Sequence, residues 1–203
     1  MAVGGLGAEV GVAAAAFLGT NIDNCLVTMA LVPGAPRERA HRIAVGQLLG
    51  FALLVVVAAA AAALLFEFSP AVVGLLGLVP LAIGVHGLVG LRSSAGRADR
   101  SERLAQRAVG RSLTAAALVT IGAGGDNLAA YIPLFRVGGL SNVVAILVVF
   151  AAGEVLATWL VLAGGGHPRA RAVMTRLGVV AAPVLLCAIG VLVLLEAGTF
   201  TLL

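Results

Sequence analysis

Gly19-Thr20-Asn21-Ile22-Asp23-Asn24 is a polar hexapeptide in the middle of the first long apolar run of the chain, and Gly122-Ala123-Gly124-Gly125-Asp126-Asn127 is its counterpart in a later run. Each motif places Asp-Asn four residues after a Gly. A carboxylate near the centre of a membrane span is costly and marks a functional site by default. Two of them, at matching places in two halves of one chain, make that expectation specific.

The surroundings of the motifs set the class. Of the 203 residues, 61% are hydrophobic and 11% charged, and the mean hydropathy is +1.13. A soluble domain carries roughly 25% charged residues. The apolar residues come in blocks of about the ~20 residues that cross the hydrocarbon of a bilayer. No polar stretch between them is long enough for a soluble domain, so the chain reads as an all-α polytopic membrane protein in contact with the lipid bilayer. A net charge of +4 with a pI near 10.4 would suggest nucleic acid in a soluble protein. Here every basic residue is Arg and sits in a gap between apolar runs, so topology accounts for the charge and no nucleic-acid partner is expected. Met1 to Val10 lacks a basic n-region, and no removed signal peptide is expected. Cys25 and Cys187 both fall in apolar runs and support no disulfide framework.

Six spans are predicted, at 10–32, 44–66, 71–91, 112–135, 141–163 and 177–198, with Pro33, Pro36, Pro70 and Pro168 in the gaps. Three gaps are basic: one with Arg37, Arg39 and Arg42, one from Arg92 to Arg111, and one with Arg169, Arg171 and Arg176. The other two connections hold only Arg136, so twelve of the thirteen Arg lie on one side, which the positive-inside rule makes cytoplasmic. Both termini are then outside. In the central linker, Arg100, Arg103, Arg107 and Arg111 recur at helical spacing, and Asp99 with Glu102 resembles a capping pair. That linker reads either as a helix on the inner leaflet or as a solvated segment that fixes topology.

A shift of 103 positions brings Gly19, Asp23 and Asn24 onto Gly122, Asp126 and Asn127, Gly50 onto Gly153, Pro80 onto Pro183, and Gly87 onto Gly190. The chain then divides into repeat one, about 8–91, an Arg-rich linker at 92–111, and repeat two, about 112–198. Three spans per half insert the halves with opposite orientation, the inverted-repeat plan of many secondary transporters, whose substrate site lies near the midplane. Gly50, Gly153 and Gly87 read as packing positions. Gly46-x-x-x-Gly50 fits close helix approach within the bundle or between two copies in a homodimer. Pro80 and Pro183 read as matched kinks.

At ~1.5 Å rise per residue, Asp23 and Asp126 fall about 4 Å to either side of the midplane. Neither has a cation in its own span, so a bound metal ion, a proton, or both would lower the cost of keeping them there. Thr20, Asn21 and Asn24 add side-chain oxygens. Gly124 and Gly125, with Gly122, would release carbonyl oxygens from an interrupted helix. Such an oxygen shell with two negative charges matches a divalent cation. The competing reading is a structural polar cluster that ties two helices together, with Asn24 and Asn127 its natural members. Glu154 reads as a third ligand, a proton carrier, or a neutral acid bonded to a neighbouring helix. Cys25 reads as a small core residue or as a soft-metal ligand. Gln47 and His86 read as hydrogen-bonding or interfacial groups, and His41 and His167 as members of basic loops.

The motif Gly-Thr-Asn-Ile-Asp-Asn at 19–24, Gly-Gly-Asp-Asn-Leu-Ala-Ala-Tyr-Ile-Pro-Leu-Phe at 124–135 and Gly-Leu-Val-Pro-Leu-Ala-Ile-Gly at 77–84 together resemble the cadmium resistance transporters (CadD type) of the lysine-exporter (LysE) superfamily. The resemblance implies a bacterial plasma-membrane exporter of divalent heavy-metal cations, with Asp23, Asn24, Asp126 and Asn127 at the site and no tightly bound cofactor. The family's first motif often carries a second acid where this chain has Asn24. An exporter of basic amino acids is the runner-up, since two acids would also hold an ammonium group. A membrane thiol carrier using Cys25 and Cys187 is a third reading, although their repeat mates are Leu128 and Gly84. The chain has no nucleophile–base pair, His-rich metal motif or nucleotide-binding loop. It reads as a carrier rather than an enzyme, driven by a proton gradient or membrane potential.

Overall fold

The structure, a computed structural model, describes residues 6–32, 35–90, 124–137, 140–164 and 167–199. All regular structure among them is helical: α1 (Leu6–Leu31), α2 (Arg37–Leu64), α3 (Pro70–Gly74), α4 (Leu78–Val89), α5 (Gly125–Val137), α6 (Leu140–Gly164) and α7 (Pro168–Glu196). Five runs are long and apolar enough to cross a membrane: Gly7–Met29, Arg37–Glu67, Pro70–Val89, Asn142–Gly164 and Ala172–Glu196. They correspond to five of the six predicted spans. The sixth, 112–135, is represented by α5. Its first half and the Arg-rich linker, with the helical-spacing and capping-pair readings, lie outside the described residues.

The surface is apolar and the interior carries the polar groups, the reverse of a soluble domain. Val56, Leu64, Val89, Val148 and Trp159 are each more than 60% exposed, whereas Thr20, Asn21, Asn24, Thr28, Gln47, Asn127, Glu154 and Thr158 are buried. Hydrocarbon around the bundle removes the drive to hide large apolar side chains and forces polar ones to find partners inside. The molecule is a polytopic, all-helical membrane protein in composition and burial pattern.

Two boundaries differ from the sequence reading. The first basic gap is expected to run through Arg42 and the third through Arg176, but α2 begins at Arg37 and α7 at Pro168. The hydropathy drop marks the end of the hydrocarbon, not of the helix. Pro36 and Pro168 supply φ values suited to a helix start. Glu38, in the first turn of α2, bonds Arg42 at 2.6 Å one turn on. His41, expected in a loop, is helical, its Nδ1 2.8 Å from the Arg37 carbonyl. The basic residues thus extend the helices beyond the apolar core.

The third span is segmented. Ser69 caps α3, its Oγ accepting from the Val72 N–H at 3.4 Å, with Pro70 next. Between α3 and α4 the chain tightens to a 3-10 turn at Leu75–Gly77. Pro80 has no N–H for the Leu76 carbonyl and its ring crowds that carbonyl, which explains the tightening just before it. Pro183 is accommodated inside an unbroken α7, and α5 carries Pro133.

Helix α1 packs on α6 and α7, α2 on α5 and α6, and α4 along α7. The last contact is close. A Cβ on Gly84 would lie 2.6 Å from the Pro183 carbonyl oxygen, and one on Gly190 would lie 2.6 Å from the Gly77 carbonyl oxygen. At the centre, Phe17, Phe51, Tyr131, Phe135 and Phe150 form one aromatic cluster, with Tyr131 and Phe150 4.5 Å apart between ring centroids. This cluster sets the floor on which the polar motif of α1 rests.

Candidate cation site

The first motif lies within an uninterrupted α1. At about 100° per residue, Thr20, Asn24, Thr28 and Asn21 follow one another within one sector of about 100°, and all four are buried. Their partner is Tyr131 of α5. Asn21 Nδ2 donates to Tyr131 Oη at 2.7 Å, and Tyr131 Oη lies 2.8 Å from Thr20 Oγ1. Thr20 in turn donates to the Ala16 carbonyl at 2.9 Å. Because Asn21 supplies the proton to Tyr131, the phenol is free to donate to Thr20, giving a directional chain from amide to phenol to hydroxyl to carbonyl. Asn24 Nδ2 donates to Asn21 Oδ1 at 3.2 Å, and Thr28 donates to the Asn24 carbonyl at 3.0 Å.

Three of the expected first-motif ligands, Thr20, Asn21 and Asn24, are therefore joined in a network that ties α1 to α5. Asp23 stands apart. It is exposed, and no hydrogen bond or ion pair engages it among the described residues. Its sector lies between the α7 face of α1, where Gly19 meets Leu185 and Ile22 meets Gly178, and the face that carries Thr20.

On the second motif, Gly124 stands just before α5, and its carbonyl accepts from the Leu128 N–H at 3.0 Å. A Cβ at Gly124 would run into the Leu54 side chain of α2, whereas one at Gly125 would meet nothing within 4 Å. Gly122, Ala123 and the Asp126 side chain lie outside the described residues, so the expected interruption of span four lies partly there too. Asn127 is buried, one helical turn before Tyr131.

Glu154 bonds a neighbouring helix: Gln47 Nε2 of α2 donates to Glu154 Oε1 at 2.8 Å. Cys25 is a buried free thiol with Glu154 and Asp23 within electrostatic range. Cys187, also free, packs against Gly84. Among the described residues no three His, Cys, Asp or Glu side chains gather to hold a metal ion.

A family model described as cadmium resistance transporter matches residues 17–203, which include both motifs and every helix from the polar stretch of α1 onward. The chain belongs to the cadmium resistance transporter family. No curated protein and no solved structure matches it.

Within this member of the family, Tyr131 is the residue that sequence reasoning passed over. It sits in the quoted second motif, but an aromatic in an apolar run reads as core. The available signal was its place four residues after Asn127. Tyr131→Phe removes the shared partner of Thr20 and Asn21 and should cost about 1–2 kcal/mol. Thermal unfolding of the purified protein in detergent checks this, and an unchanged midpoint would show that the phenol is dispensable.

Proposed function

We propose that this member of the cadmium resistance transporter family exports divalent heavy-metal cations by alternating access, with Asp23 and Asp126 as the charged ligands of the transported ion. The observation that carries the reading is Asp23: an exposed carboxylate inside a membrane-length helix, with no hydrogen bond or ion pair among the described residues. Such a group calls for water or a cation at that spot, not hydrocarbon. The Thr20–Asn21–Tyr131 network holds α1 against α5, the helix that bears the second motif, and Asn24 steadies Asn21. In this reading those residues position the carboxylates more than they ligate, while Asn127, Gly124 and Gly125 complete the surroundings. The inner-membrane location, with both termini outside, belongs to the same proposal.

Packing supports two inverted three-helix repeats. Under the offset of 103, Gln47 and Glu154 exchange with Phe150 and Phe51. Both pairs touch, the first through its hydrogen bond and the second with ring centroids 6.2 Å apart. Gly84 and Cys187 are each other's repeat mates and pack together, as residues on a pseudo-two-fold axis must. The α1–α6 contact likewise has its mate in α5–α2.

Arg136 supports the topology. Its Nε and Nη2 donate to the Leu65 and Phe68 carbonyls at 3.2 and 3.0 Å, and its guanidinium lies 4.5 Å from the centre of the Phe66 ring. The one Arg on the predicted outer side thus ties the two outer connections together. Arg136→Ala should destabilise the fold by about 2 kcal/mol through loss of these charged donors. Chemical denaturation reads the effect, and a change below the scatter of surface substitutions would argue against the tie.

The cycle follows from competition. The inward-open site takes the metal as the carboxylates release protons, the repeats rock, and protonation from outside releases the metal. The test is accumulation in cells expressing the chain under Cd²⁺, Zn²⁺ and Mn²⁺, with lysine and arginine as parallel challenges. Reduced accumulation of one or more metals, with none of the amino acids, is expected. Reduced lysine or arginine alone would favour the basic amino acid reading.

A further inference from the structure

We propose that Glu154 and Gln47 form a buried proton-binding site, a carboxylic acid–amide pair between α6 and α2 that takes up and releases one proton separately from the polar motif of α1. Glu154 is 1% and Gln47 3% exposed. Gln47 Nε2 donates to Glu154 Oε1, the one hydrogen bond between the two side chains. The two atoms left over, Glu154 Oε2 and Gln47 Oε1, are both buried acceptors without a hydrogen-bond partner. A buried unsatisfied polar atom costs about 1–3 kcal/mol, and here there are two, on the same pair of side chains. Gln47 Oε1 can only accept, and Glu154 Oε2 can only accept while Glu154 is ionised, so the two cannot bond each other in that state. One proton on Oε2 makes it a donor, gives Gln47 Oε1 the partner it lacks, and removes the charge. The result is the paired ring of an acid and a primary amide.

Among the described residues no neighbour offers the charge another remedy. Helix α1 and α6 carry no Lys, Arg or His, and α2 has none beyond Arg42, at its exposed first turns. From α1, Cys25 lies within electrostatic range of Glu154 and brings no positive charge. From α5, Tyr131 packs on Phe150, one turn before Glu154, but its hydroxyl is engaged with Asn21 and Thr20. Arg136 is committed to the Leu65 and Phe68 carbonyls. Thr158, one turn after Glu154, has a buried hydroxyl without a partner and does not reach the carboxylate. A carboxylate so placed neutralises by protonation. Deprotonation leaves two orphan acceptors and a buried charge, so the bond between α2 and α6 is the element that the proton controls. The proposal does not depend on what Asp23 binds.

Infrared difference spectroscopy of the purified full chain tests it. The wild type should show, at neutral pH, the carbonyl stretch of a protonated carboxylic acid that vanishes on alkalinisation. Glu154→Gln should lose that band, Asp23→Asn should keep it, and Gln47→Leu should move it to higher wavenumber by removing the amide donor from Oε1. A wild type with no such band at any pH would overturn the proposal, as would a band unmoved in Gln47→Leu. Loss of the band on adding Na⁺ at constant pH would also overturn it, by showing a metal-cation site instead.

Discussion

Asp23→Asn is expected to abolish cadmium export while leaving the amount of folded protein unchanged. The two side chains have the same shape, and Asp23 has no hydrogen bond or ion pair among the described residues for the substitution to break. Its exposure means that no packing is lost either. What disappears is one of two negative charges proposed to face the ion. Removing groups that merely orient a metal ligand costs about 10- to 100-fold in affinity or activity, so loss of a charged ligand should exceed ~10-fold. Efflux from metal-loaded cells, with the membrane-inserted protein quantified in parallel, measures both halves of the expectation. Efflux equal to wild type at equal expression would remove Asp23 from the site. Asn24→Ala offers the contrast: it breaks the bond to Asn21 and should act first on stability.

The largest structural effect should come from Gly84→Val. The α4–α7 contact leaves no room at this position. Even a single added carbon would stand 2.6 Å from the Pro183 carbonyl oxygen and 2.7 Å from the Cys187 backbone nitrogen. These are backbone atoms of a continuous helix and cannot turn aside as a side-chain tip can. Overpacking costs typically about 1–3 kcal/mol, and a branched side chain against backbone belongs at the upper end. Gly11→Ala is the control, because a carbon added there meets nothing within 4 Å. Thermal unfolding should separate the pair clearly, with Gly84→Val well below wild type and Gly11→Ala at or slightly above it. Equal stability of the two variants would mean that the helices do not approach as described.

The class of this fold is legible because hydropathy and Arg placement are strong, redundant signals. Five of the six predicted spans have a matching apolar run, with errors where charge was read as the end of a helix, at Arg37 and Pro168. The repeat offset found Gly84 and Cys187 as mates without revealing that they touch. The same offset set Glu154 against Phe51, an apparent mismatch. Applied crosswise, it relates the Gln47–Glu154 pair to the Phe150–Phe51 pair, which periodicity along one strand of sequence cannot display. Within the polar motif, sequence identified the residues but not their division of labour. Thr20, Asn21, Asp23 and Asn24 look alike as oxygen donors. Only the position of Tyr131 shows that three belong to a hydrogen-bonded tie and that Asp23 is outside it.

That division makes the proposed carboxylate pair the point on which the account rests, and equilibrium binding of Cd²⁺ to the purified full chain tests it most directly. The wild type should bind the ion with release of protons, and Asp23→Asn and Asp126→Asn should each bind at least ~10-fold more weakly. Binding by both variants with the affinity of the wild type would contradict it.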